Sequence, residues 1–255
     1  GEDGPRINAG AYCHVCGHCA AVCPRDAVAL GDMAMERTVP TGEIISPEGV
    51  KALLYTKRSI RHFTDREIEE PVLRELIDAA RMAPTAINCQ ERASIVVRDG
   101  VVMADIRKAV LGYIKRVRFL LKIVTAPSLS WMMPKASVTH LSHLLHDFDS
   151  AIKHTGAGED YIFHNAPCLI LFTGIAADPF GKDHALGAMH YLMLYAQSLG
   201  LGTCINGYVQ SAPKLVSKYV DVPKKHRIYG AVIIGYPAHR FVKTVYRKEP
   251  CAVFV

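Results

Sequence analysis

No stretch of this chain is apolar for long enough to cross a bilayer. The best candidate, Val110 to Val124, is broken by Lys115, Arg116, Arg118 and Lys122, whereas a spanning helix needs roughly 20 apolar residues. The expectation is a chain with no membrane partner. Basic residues form no block either: they are scattered over a chain of net charge +6, which gives no nucleic-acid footprint and favours small anionic ligands instead. A secretory leader is not expected, because the opening Gly-Glu-Asp-Gly-Pro-Arg is polar and acidic with no hydrophobic segment behind it. So is an initiating Met, and the chain is expected to continue upstream. There is no low-complexity segment, no repeat of 20 to 50 residues and no G-x-G-x-x-G turn that would announce a separate dinucleotide domain. What is present is 255 residues, half of them apolar, enough to bury one substantial core.

The eight cysteines are unevenly placed: four fall between positions 13 and 23 and four stand alone. Clustering of this kind points to a metal site and a reducing compartment, most simply a bacterial or archaeal cytoplasm. Cys13, Cys16, Cys19, Cys23 and Pro24 spell C-x2-C-x2-C-x3-C-P, the bacterial ferredoxin run for a [4Fe-4S] cluster. Gly17 permits the close backbone approach that such a loop demands. A zinc knuckle using Cys13, Cys16 and Cys19 with His14 or His18 is the alternative. In two-cluster ferredoxins the fourth cysteine of a run serves the other cluster, and no second run precedes this one. Residues 1–40 therefore read as a partial ferredoxin-type domain whose other half lies before residue 1, with Glu2 to Asn8 as the connector. Cys23 then either swings to the cluster of its own run or stays free.

Pro40, Thr41 and Gly42 mark a linker, and Ser46-Pro47-Glu48 is a helix start that opens a second domain over 46–255. Apolar residues at helical spacing predict helices over 48–58 and 67–82 on either side of a basic turn. Residues 94–98 are a short β-branched run and 101–122 a basic helical segment. Cys168 to Thr173 and Tyr229 to Gly235 read as buried strands around a largely apolar helix over 183–199. The class is α+β with a mixed central sheet flanked by helices. Residues 123–160, with the single Trp131 beside Met132 and Met133 and the flexible Thr155 to Gly158, form an insertion that is a candidate substrate lid or an ordinary surface excursion. His140, His143 and His146 could line one helix face, but their drift of about 60 degrees weakens a three-His metal site.

Lys57-Arg58-Ser59-Ile60-Arg61 sets three cations and a hydroxyl at a helix end, a density suited to a phosphate and a polarisable ring edge. Pro84-Thr85-Ala86-Ile87-Asn88-Cys89-Gln90, Gly200 to Tyr208, and Ile233 to Pro237 follow in order. Together these four segments resemble the nitroreductase family of FMN-dependent oxidoreductases, specifically members with an amino-terminal ferredoxin domain. The resemblance implies a dimeric nitroreductase-like FMN fold. It assigns Lys57, Arg58 and Ser59 to the FMN phosphate and ribityl chain, and Arg61 to the N1 and C2 carbonyl edge, where a cation stabilises the reduced ring. Pro84, Thr85, Ala86 and Asn88 correspond to the segment that reaches the flavin bound mainly by the other subunit, so the resemblance implies an obligate homodimer. The family continues Gln-Pro-Trp where this chain has Gln90-Glu91-Arg92. Asn206 and Gly207 match the turn whose N–H lies near flavin N5, and Lys243 and Arg247 match two phosphate cations, with an offset toward Arg240 or Lys248 as the alternative. Cys89 reads as a small side chain in the core.

The activity so implied is transfer of electrons from NAD(P)H or a ferredoxin-type carrier, through an iron-sulfur cluster and FMN, to a small organic acceptor such as a nitroaromatic, quinone or enone. The flavin is the reactive centre, and solvent or Tyr208 could supply a proton. Two other readings stay open: a non-catalytic flavin and iron-sulfur redox sensor or electron carrier, and a zinc-bearing interaction domain on a degenerate flavin fold.

Overall fold

The computed structural model describes residues 13–25, 27–28, 45–124 and 134–254. The linker residues Pro40, Thr41 and Gly42, the whole segment before the cysteine run, and Trp131, Met132 and Met133 of the expected lid lie outside the described residues.

A short helix α1 (His18–Ala21) sits inside the cysteine run. Helix α2 (Pro47–Thr56) starts where the sequence predicts: Pro47 holds the first helical position and the Ser46 side chain accepts from the Gly49 amide at 3.1 Å, satisfying an otherwise unpaired first-turn donor. Helix α3 (Glu70–Arg81) buries Leu73, Leu76 and Ala80 along one stripe. A single 3-10 turn (Ala86–Asn88) leads to strand β1 (Arg92–Val97). The Asp99 carboxylate accepts from the amides of Val101 and Val102 and so begins helix α4 (Gly100–Val124). Helix α5 (Lys135–Gly156) runs back beside it. Strand β2 (Cys168–Ile175), helix α6 (Gly181–Ser198), strand β3 (Gly202–Ile205), helices α7 (Gly207–Ser211) and α8 (Pro213–Val216), and strand β4 (His226–Gly235) complete the order.

The four strands lie in the order β1-β2-β4-β3 and every pair is antiparallel. The expectation of a mixed sheet is corrected: the parallel contact among described residues is the lone bridge between Ser59 and Thr203. Two helices, α4 and α5, link β1 to β2, so the chain re-enters the sheet from the end at which it left and the neighbours oppose. The single helix α6 carries the chain from β2 to β3 in the same direction, but β4 then inserts between them and opposes both.

Pleating sends alternate residues of the central strands to opposite faces. Leu169, Leu171, Ala231 and Ile233 join a core with α4 and α5, including Ile106, Val110, Ile114 and Phe148. Cys168, Ile170, Phe172, Val232 and Ile234 join a second core with α3 and α6, including Leu76, Met189 and Leu192. The result is a three-layer α+β domain. Residues 135–156, part of the expected insertion over 123–160, are a long helix packed on α4.

Candidate functional site

The basic segment is threaded along the end of the sheet. Ile60 donates its amide to the Thr203 carbonyl at 3.0 Å, Thr64 donates to Tyr236 at 2.9 Å and Ala238 donates to His62 at 2.9 Å, while Phe63 bridges Pro237. Lys57 Nζ donates to the Arg58 carbonyl at 2.6 Å and reaches the Thr203 carbonyl at 3.5 Å; burial lowers its pKa. Arg58 Nη1 donates to the Lys57 carbonyl, yet Arg58 Nε and Thr203 Oγ1 are both buried with no hydrogen-bond partner. Buried polar atoms left in this state are costly, and here two of them occur on segments that touch.

Arg61 lines a cavity of about 640 Å³ together with Asn206, Gly207 and Tyr208. Four residues singled out by the sequence therefore converge on one space. Asn206 is buried and its side chain is consumed by the protein: Oδ1 accepts from the Val209 amide at 3.0 Å and Nδ2 donates to the Ile162 carbonyl at 2.7 Å. It fixes the β3–α7 turn and ties it to the 160s loop. Tyr208 points its hydroxyl toward the Asp147 carbonyl at 3.5 Å, and burial pushes the phenol up to about 12.

The opposite wall was not foreseen. Tyr113 and Val117 from α4, Leu144, Asp147 and Phe148 from α5, and Tyr161 and His164 from the following loop complete the cavity. His164 has a left-handed backbone, φ 54°, and burial, then the Arg61 charge, lower its pKa. It also lines a second cavity of about 510 Å³ with Arg61, His62 and His239. The one sequence signal was the placement of an aromatic Tyr-Ile-Phe-His run separated by two residues from the glycine-rich Thr155 to Gly158. A larger cavity, about 740 Å³, lies between Arg98, Arg107 and Asp160 and contains none of the motif residues.

Pro84, Thr85, Ala86 and Asn88 contribute nothing to the 640 Å³ cavity. Thr85 Oγ1 accepts from the Gln90 amide at 3.1 Å, the Ala86 amide donates to His184 Nε2 at 2.9 Å and Asn88 Nδ2 donates to the Val15 carbonyl at 2.8 Å. Lys243 and Arg247 lie on an exposed extended tail, also away from that cavity.

In the cysteine run, Cys13, Cys16 and Cys19 are exposed and Cys23 is half-buried. Gly17 has φ 79°, the left-handed conformation for which glycine is suited. The Val15 and Ala27 amides approach Cys13 Sγ at 3.4 Å and Cys23 Sγ at 3.3 Å. Among the described residues the one group of three metal-ligand types drawn within 4.8 Å is Cys89, Asp178 and His184; neither the cysteine run nor His140, His143 and His146 forms another.

The Nitroreductase family profile matches residues 54–236, well over half of the chain. The chain belongs to the nitroreductase family. Among its relatives, an NADH dehydrogenase of Thermus thermophilus is 25% identical over 205 residues, 80% of this chain and 91% of that protein. An FMN reductase [NAD(P)H] of Bacillus subtilis is 26% identical over 188 residues, 73% of this chain and 65% of that protein. Among solved structures, a nitroreductase with bound FMN from Bacteroides fragilis aligns with a TM-score of 0.59 at 20% identity, covering 81% of this chain and 98% of its own. That likeness establishes the nitroreductase fold, and with it the arrangement of sheet and helices around the basic segment.

Proposed function

We propose that this nitroreductase-family chain is a dimeric FMN-dependent oxidoreductase that reduces a small organic acceptor of the nitroaromatic, quinone or enone type, with electrons from NAD(P)H or a ferredoxin-type carrier. The observation that carries the seating of FMN is the pair of orphaned buried groups, Arg58 Nε and Thr203 Oγ1. A phosphate would satisfy both, and Lys57 and Ser59 stand beside them. Arg61 in the adjoining cavity supplies positive charge for a ring edge that becomes negative on reduction. FMN, when bound, supplies the hydride and single-electron chemistry; the protein supplies binding, orientation and charge. Asn206 holds the β3–α7 turn rigid so that Gly207 is presented at a fixed place. Tyr113, Phe148, Tyr161 and Tyr208 offer flat apolar walls for an aromatic or quinonoid acceptor.

The second half of the site is assigned to a second copy of the chain. Pro84, Thr85, Ala86 and Asn88, and Lys243 and Arg247, lie away from their own chain's cavity, and large apolar residues are left uncovered: Ile87, Phe119, Phe180, Phe241, Tyr246 and Phe254. A homodimer in which these segments complete the partner's site covers such residues.

The cysteine run fits an iron-sulfur cluster better than zinc. The spacing C-x2-C-x2-C-x3-C and the Pro24 that follows it belong to the cluster pattern. The amides directed at Cys13 and Cys23 sulfur are the hydrogen bonds that tune such clusters. Cys13, Cys16, Cys19 and Cys23 would hold it within a partial ferredoxin-type domain over 1–40, joined to the FMN domain over 46–255. Eight unpaired thiols support a reducing cytoplasmic location.

The test is anaerobic purification with FMN, iron, sulfide and zinc measured per chain, for the native protein and for Arg58→Ala combined with Arg247→Ala. The native chain is expected to hold one FMN and iron with matching sulfide. The double variant should lose FMN at least about tenfold, as removal of charge-assisted hydrogen bonds implies, with iron unchanged. Full FMN in the double variant overturns the phosphate site, and zinc without iron overturns the cluster.

A further inference from the structure

The 84–90 loop is held in an unfavourable shape. Ile87, Asn88 and Gln90 have φ of 49°, 54° and 54°, and the left-handed region is tolerated by Asn but is strained for a β-branched Ile. Such a conformation persists only where its surroundings over-determine it. What over-determines it from outside the loop, on the side of the domain core, is His184.

His184 lies in the first turn of α6 and is 4% exposed. The Ala86 amide donates to its Nε2 at 2.9 Å. A backbone N–H can only donate, so Nε2 carries the lone pair and the neutral ring carries its proton on Nδ1. That Nδ1–H faces Asp178 Oδ2 at 3.3 Å and Cys89 Sγ at 3.7 Å. Asp178 is itself fixed, its Oδ1 accepting from the Phe180 amide at 2.9 Å and its carbonyl from Gly181 at 3.0 Å. Gly181 is pressed onto β2 so closely that an added Cβ would sit 2.2 Å from the Ile175 carbonyl oxygen. The anchor is thus the sheet itself.

Cys89, Asp178 and His184 have the chemistry of a metal triad, but the tautomer argues against that use. Coordination through Nδ1 would put the proton on Nε2, where the Ala86 N–H already points, and two donors would face each other. We propose that His184 is a positioning residue: with its Nδ1 side set against the Asp178 carboxylate and Cys89 Sγ and its Nε2 accepting from Ala86, it latches the strained loop that presents Thr85 and Asn88. The proposal rests on the reading that this loop contacts FMN.

The test compares His184→Phe, which keeps the ring and removes the acceptor, with His184→Gln, whose Oε1 can accept from Ala86, and with Asn88→Ala. FMN affinity is measured by fluorescence quenching and the bound flavin by visible circular dichroism, and nitrogen-15 NMR of the flavin-free protein reads the His184 tautomer. His184→Phe should weaken FMN about tenfold, the scale of one buried hydrogen bond, and change the flavin dichroism, while His184→Gln stays within about threefold of the native value. The native ring should show its proton on Nδ1. Loss of FMN in Asn88→Ala but not in His184→Phe overturns the latch, and a proton on Nε2 or zinc held through Cys89 overturns it independently of FMN. If neither Asn88→Ala nor His184→Phe moves FMN binding, the assignment of the loop to the flavin falls and takes the proposal with it.

Discussion

At Gly202 a single added carbon decides whether the basic segment can keep its place. A Cβ there would lie 2.8 Å from the Cβ, Cγ1 and Cγ2 of Ile60, and Ile60 is hydrogen-bonded to Thr203 on the same strand. Gly202→Ala is expected to cost about 1–3 kcal/mol, as overpacking generally does, and to weaken FMN because Ile60 lies between Ser59 and Arg61. Thermal denaturation and FMN titration of the one variant check both effects. Tyr208 illustrates a different constraint. A phenol held near 12 is poorly matched to proton transfer near neutrality, so its contribution is orientation by hydrogen bonding. Tyr208→Phe should raise KM for the acceptor more than it lowers kcat, with the shape of the pH profile unchanged below about pH 10. Just beyond the basic segment, Arg66, then the residue's own backbone amide, then Tyr236 hold the Glu69 carboxyl down to about 2 from 4.5. The folded value is the lower one, so its contribution to stability is present above pH 4.5 and is lost as the pH falls toward 2. Carboxyl NMR of Glu69 should show a midpoint that returns toward the ordinary value in Arg66→Ala.

Among the elements, those with a strong local pattern were legible from residues alone. The stripe Leu73, Leu76 and Ala80 declares α3, and the continuous apolar runs declare β2 and β4, because buried central strands have no polar face to alternate. Strand direction was not legible, since it depends on how many helices lie between strands and the α5 segment reads as an insertion, either a lid or a surface excursion. Its apolar residues Leu141, Leu144, Leu145 and Phe148 do recur at helical spacing, but they share the segment with three histidines and follow a stretch dominated by Trp131, Met132 and Met133. The motif segments could be placed in order along the chain, and Arg61, Asn206, Gly207 and Tyr208 do meet. The wall that faces them could not, because Tyr113, Phe148 and His164 come from three elements that only the tertiary fold assembles. Nor could the triad of Cys89, Asp178 and His184, whose members lie up to 95 residues apart. The loop between α5 and β2 depends on Asp160: its side chain is 7% exposed, pairs with Arg107 at 3.2 Å and accepts from the amides of Phe163 and Asn165. Asp160→Ala returns the Arg107 guanidinium, 38% exposed, to solvent and leaves two amides without their acceptor, and should cost about 1–3 kcal/mol, read as a lower urea midpoint. Asp160→Asn, which keeps one acceptor, should cost less.

For the molecule as a whole, the uncovered apolar residues set the expectation for assembly. The tail from His239 onward is extended, and Val242, Tyr246, Val253 and Phe254 are each more than four-fifths exposed. A tail of this composition is stable in water only when something covers it. Sedimentation should give twice the chain mass, and deletion of residues 239–255 should weaken both the dimer and FMN binding, since it removes Lys243 and Arg247 together with the apolar grip. Sheet order has a further consequence, for the time course of folding. Strands β2 and β3 each rely on β4, which lies between them and is the last strand in the chain. During synthesis the β1–β2 pair can close early, but the free edge of β2 and the whole of β3 must wait for residues 226–235 to emerge. Until then a row of unsatisfied backbone groups and half of each core stand open to other nascent chains, so a ribosome paused within the 213–225 segment leaves this protein at its most vulnerable to aggregation.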